Sequence, residues 1–200
     1  MTRNLEPPTG KEPPPPRIPD HLTEPRARWL EAIARWELRL GLRSSIDSCA
    51  LEWISHDSNN PVLLEMVSRY RDDFVTDEEF RIDIANAFVA MALEPPTRSD
   101  YVWTVIADSV RAAETSQDLI RATHDLRVIS HENSQFLDRL GGYVYYDENF
   151  SRNEYCDVSL GNVKRELSRD RPRLLEDASK HFATSTVGRW IAGTLGVVSV

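Results

Sequence analysis

Apolar residues recur at three- and four-residue intervals through most of this chain, and that spacing constrains its fold more than any other property does. Trp29, Ile33, Trp36 and Leu40 make one stripe, and Ile46, Cys49, Ala50 and Trp53 make the next. Leu63, Met66, Val67 and Tyr70 follow, then Phe80, Ile84, Phe88 and Met91. Val102, Val105, Ile106 and Val110 form a fifth set, and Leu119, Thr123, Leu126 and Ile129 a sixth. Phe136, Leu137 and Leu140 continue beyond a break near Ser130 to Asn133, and Leu174, Leu175, Ala178 and Phe182 mark a last clear helix. Each stripe is one face of a helix that must be covered by another, so the chain reads as all-α, a compact irregular bundle or short solenoid of about seven to eight helices. No fixed-period consensus of the tetratricopeptide or ankyrin kind is present.

Punctuation supports these bounds. Thr23 is expected to cap the first helix with Pro25 in its opening turn, and Gly41 to stop it. The second is expected over Ser45 to Ser55, and the third from Pro61 behind an Asn60 cap. Thr76 and Glu79 have the spacing of a capping box, and Pro95-Pro96 ends the helix that follows. Ser99 and Ser116 are expected to cap the fifth and sixth helices, and Gly141-Gly142 to stop the segment after them. Tyr143 to Tyr146 is aromatic and β-prone, predicting a short strand or lid, with a loop over Asp147 to Asp157. The last clear helix is expected to start near Pro172, and the apolar stretch Val187 to Val200 reads as an element docked on the fold.

Ahead of the stripes, residues 1–22 read as a disordered arm, because seven prolines between Pro7 and Pro19 fix φ and remove backbone donors. Residues 23–200 read as one helical domain. No secretory leader and no run of about 18 apolar residues is seen, and Cys49 and Cys156 lack a CxxC partner, so a reducing cytoplasmic location is expected.

The net charge of −8 is uneven. Residues 44–150 sum to −12, whereas each flank sums to +2. Nucleic acid is bound by concentrated Lys and Arg, so an acidic centre argues against it as the main partner and favours a basic protein surface or a divalent cation. Arg28, Arg35 and Arg39 fall on one charged, solvated face of the first helix. The dense basic cluster is Lys164-Arg165 with Arg169, Arg171 and Arg173, where interleaved Glu166 and Asp170 predict a salt-bridged surface.

Three short patterns carry chemistry. Asp72, Asp73 and Asp77, followed by Glu78 and Glu79, place carboxylates where Mg²⁺ is held through a diphosphate, and the pattern resembles the aspartate-rich motif of class I terpene synthases. Asn149, Asn153 and Asp157 echo the spacing of that family's other metal motif; the resemblance implies Mg²⁺ as the cofactor and covers only these two segments. His56-Asp57 resembles the paired ligands of HD-type phosphohydrolases, with His21 and Asp100 or Asp108 as the residues that would complete the set. His131-Glu132-Asn133-Ser134-Gln135 has the form of HExxH with Gln in place of the second ligand, which removes the required zinc pair.

No Gly-rich phosphate loop, GxSxG elbow or Cys-His constellation is present. The leading expectation is therefore a non-enzymatic interaction module without a cofactor, an adaptor, inhibitor or immunity-like protein whose acidic body engages a basic partner. The alternative is a metal-dependent helical enzyme acting on a phosphorylated or diphosphate substrate, and a third possibility is a self-associating subunit using Trp-rich surface.

Overall fold

A computed structural model describes residues 20–56, 61–69, 75–132, 136, 139–151 and 156–194, and among them it contains nine helices and no strand. They are α1 (Asp20–Glu37), α2 (Arg43–His56), α3 (Pro61–Arg69), α4 (Asp77–Ala90), α5 (Arg98–Ala112), α6 (Ser116–Glu132), α7 (Gly142–Ser151), α8 (Cys156–Phe182) and α9 (Thr186–Thr194). The expected arm lies outside the described residues except for its last three, which belong to α1.

Helix α1 packs on α2, α5 and α9, α5 on α6 and α8, and α8 on α6, α7 and α9, while α3 joins α2 to α4. The return of α9 to α1 decides between the two expected architectures. A solenoid touches only sequence neighbours, so this is a bundle.

The apolar stripes meet as their spacing requires. Trp29, Ile33, Ile46, Trp53, Phe80, Phe88, Val105, Ile106, Leu126 and Phe182 are all fully enclosed, each contributing roughly 1.5–3 kcal/mol by burial. An aromatic series ties the first helices to the last. Trp29 meets Trp53 at 5.2 Å and Phe88 at 5.4 Å, and Phe88 meets Trp190 of α9 at 5.9 Å. The stretch from Val187 is therefore a docked helix as far as Thr194.

Helix ends show how Thr is used. Thr76 accepts from the Glu79 amide while the Glu79 carboxylate accepts from the Thr76 amide, the expected capping box. The same exchange joins Thr97 to Asp100 and Thr115 to Asp118, so these residues cap α5 and α6, in place of the expected Ser99 and Ser116. Asp is one methylene shorter than Glu yet reaches the same amide.

Helix α1 ends at Glu37, four residues before Gly41. Arg39 takes φ 58°, and the bonds Leu40 N–H to Arg35 O and Arg39 N–H to Trp36 O complete a Schellman motif. Ala92 plays the same part after α4, at φ 57°, with Leu93 bonded to Phe88 O and Ala92 to Val89 O. Gly41 serves a different need, since a Cβ there would lie 3.1 Å from that of Arg35.

Other boundaries differ from expectation, among them the end of α4, at Ala90 and not at Pro95-Pro96, and Gly142, which opens α7. Helix α1 starts at Asp20, which puts Thr23 and Pro25 inside it. Tyr143 to Tyr146 is helical, not a strand or lid, because Tyr143 is buried on the inner face of α7 and its hydroxyl donates to Asp170 at 3.2 Å. The loop expected over Asp147 to Asp157 is helical at both ends, in α7 and α8. Pro172 lies within α8 instead of opening it, and because it is exposed its ring points away from the packed face.

Candidate functional sites

Asp77 opens α4 on the surface and His56 closes α2, also exposed. Asp72, Asp73 and Asp57 lie outside the described residues, as does Asn153. Asp100 and Asp108, the residues proposed to complete an HD-like set, are engaged elsewhere. The Asp100 oxygens accept from Thr97 and contact His181, and Asp108 accepts from Arg35. Among the described residues no group of three or more His, Cys, Asp or Glu side chains is arranged to hold a metal ion. His131 is exposed at the end of α6, and Gln135 lies outside the described residues.

One buried ionisable cluster has no signal in the sequence. Arg35 is not on a solvated face; its side chain is only 12 % exposed. It donates to Glu31 at 2.6 Å, Asp108 at 2.9 Å and Asp125 at 2.9 Å. Asp125, 3 % exposed, also accepts from the Ser109 hydroxyl at 2.7 Å. Burial works against the Arg35 cation, but Asp125, Glu31 and Asp108 outweigh it and hold the guanidinium more firmly charged than usual. Burial and the neighbouring Asp108 push the Glu31 carboxyl up against the pull of Arg35. Three helices, α1, α5 and α6, are thereby fixed in register by one fork-shaped cation. Every polar atom facing inward is spoken for by another, which makes the cluster a clamp.

A second pairing ties the start of α5 to the end of α8. His181 Nε2 lies 2.9 Å from Asp100 Oδ1, with the imidazole stacked on Trp103 at 6.2 Å. Burial would raise the Asp100 carboxyl, but bonds from His181 and Thr97 prevail and hold it below the usual range. A third, Asp147 of α7, meets Arg127 at 2.5 Å and His124 at 3.4 Å. The half-buried Cys49 thiol is raised by burial and by Glu52 and Glu31, which makes it a poor nucleophile.

The surface divides differently. Helix α4 buries Phe80, Ile84, Ala87 and Phe88, yet it also carries Ile82 and Val89, 52 % and 61 % exposed, seven residues apart on the outer side. Glu78, four residues before Ile82, stands at the N-terminal end of that strip and is only loosely paired to Arg81 at 3.8 Å, and Asp77 is exposed next to it at the start of the helix. On α8 the expected salt-bridged surface is largely not formed. Asp170 is taken by Arg169 and Tyr143, and Glu166 by Tyr146, while Lys164, Arg165 and Arg173 enter no ion pair among the described residues.

No family model, curated protein or solved structure matches the chain. No described helix is long and apolar enough to cross a membrane.

Proposed function

We propose that the protein is a non-enzymatic binding module whose acidic body engages a basic surface on a partner protein. The observation that carries this reading is the outer side of α4, where the exposed aliphatic pair Ile82 and Val89 runs in line with the Glu78 carboxylate, with Asp77 exposed at the same helix end. The inner packing of α4 does not use these two groups, and their alignment on one face, two turns apart, suits a contact surface. Covering their exposed halves would contribute roughly 1 kcal/mol each, and the adjoining negative charge selects and steers a basic partner. The inward-facing carboxylates are meanwhile committed to Arg35, Arg127, His181 and the helix caps, which favours binding over acid–base chemistry.

Capture from lysate at low salt, run in parallel with the full-length protein and with Asp77→Asn/Glu78→Gln and Ile82→Asn/Val89→Gln variants, tests the proposal. A protein retained by wild type, released by added salt and lost with either variant supports it. Failure to retain any partner at low salt, or retention indifferent to salt and to both variants, contradicts it.

A further inference from the structure

Lys164, Ser168 and Arg171 stand at i, i+4 and i+7 of α8 and so form one stripe. That stripe lines a cleft of about 230 Å³ between α8 and the turn joining α5 to α6, with Leu167 beneath and Ala113 and Glu114 opposite. Lys164 extends from an exposed position with its ammonium in no ion pair among the described residues. Arg171 is held in place by a long bond from Nη2 to the Ala113 carbonyl, 3.3 Å, while its Nε is enclosed by protein and makes no hydrogen bond.

The Arg171 Nε is shut off from solvent, so what the cleft offers a ligand is the rest of the guanidinium together with the Lys164 ammonium, while the Ser168 hydroxyl beside them donates to the Lys164 carbonyl at 2.7 Å. The carboxylates that would neutralise the stripe are occupied, Asp170 by Arg169 and Tyr143 and Glu166 by Tyr146. Among the described residues lining the cleft, Glu114 is the one acid opposite the two cations, a local surplus of positive charge there in an otherwise acidic protein. A compact acceptor-rich anion matches this set, since it takes one charge-assisted bond from the fork and another from the ammonium.

We propose that this cleft binds a phosphate group, as the free ion or as the head of a small monoester. Lys164 supplies charge, the Arg171 guanidinium orients the oxygens, and Glu114 limits affinity. This site is separate from α4, and neither proposal depends on the other.

Titration of the ¹⁵N-labelled full chain with inorganic phosphate and with phenyl phosphate, followed by amide shifts, provides the test. Saturable shifts confined to residues around Ala113–Thr115 and Lys164–Arg171 are expected. Lys164 is exposed and its ammonium enters no ion pair among the described residues, so Lys164→Gln should leave the fold intact and weaken binding about tenfold. Glu114→Gln should tighten it about threefold. Arg171→Lys should weaken it although charge is kept, because the fork is lost. Equal affinity for both ligands identifies the phosphate itself as the recognised group, and tighter binding of phenyl phosphate identifies a monoester; both support the site. Absence of saturable shifts with either ligand, or affinities unchanged in Lys164→Gln and Glu114→Gln, would overturn it.

Discussion

Asp100 and Glu31 carry opposite pH signatures. The Asp100 carboxyl is lower in the folded protein than in the open chain, although burial alone would raise it, because His181 and Thr97 bond to its charged form. Its contribution is present above the unfolded value and is lost as pH falls through the folded one. Urea unfolding followed from about pH 5 to pH 2 should therefore show a shallower acid loss of stability in Asp100→Asn than in wild type. Equal slopes would refute the role assigned to that pair. Glu31, raised by burial and by Asp108, works the other way, costing stability as pH rises from its unfolded to its folded value. Arg35 is the residue least legible in the sequence. Its spacing on α1 suggested solvent, and its partners Asp108 and Asp125 lie 73 and 90 positions away, where no local pattern can reveal them. Replacing it by Ala leaves Asp125 buried beside two more carboxylates, so chemical denaturation should show a loss of about 3–5 kcal/mol. A loss comparable to that of an exposed arginine would show the clamp to be dispensable.

At the scale of the helix, punctuation was readable wherever the side chain itself makes the bond. The Thr76 and Glu79 box was evident, while the Thr97 and Thr115 boxes were hidden only by the substitution of Asp for Glu. Residues that act through backbone conformation were not readable. Ala92 and Arg39 occupy the left-handed region that glycine usually fills, at φ 57° and 58°. Ala92→Gly should relieve that strain and raise stability by about 1 kcal/mol, measured by thermal unfolding. A fall would mean that Ala92 is not held at positive φ. Pro172 misled in the other direction, since proline near an apolar stripe usually opens a helix, whereas here α8 runs through it. Because it is exposed and its missing amide bond is the main cost, Pro172→Ala should stabilise the protein by about 1–3 kcal/mol. Destabilisation would indicate that the bend it imposes is needed for packing. Tyr143 to Tyr146 shows why short aromatic runs are ambiguous. Burial of Tyr143 against α8 overrode a β preference that is itself a matter of packing.

Across the whole molecule, inner stripes determine the bundle, and the charges separate into two groups. One group is turned inward to clamp helices that are distant in sequence. The other is displayed, negative beside aliphatic side chains on α4 and positive along α8. The overall α architecture was legible because each stripe announces its own need for cover. The pairing of α1 with α9 was not, because nothing local in either stripe identifies its partner. The direct test is kinetic, with the captured partner immobilised and association followed across a salt series. Wild type should associate more slowly as salt rises, and Asp77→Asn/Glu78→Gln should flatten that dependence. Ile82→Asn/Val89→Gln should dissociate tenfold or more faster with little change in association rate. Rates in both variants indistinguishable from wild type would contradict the assignment of this face to binding.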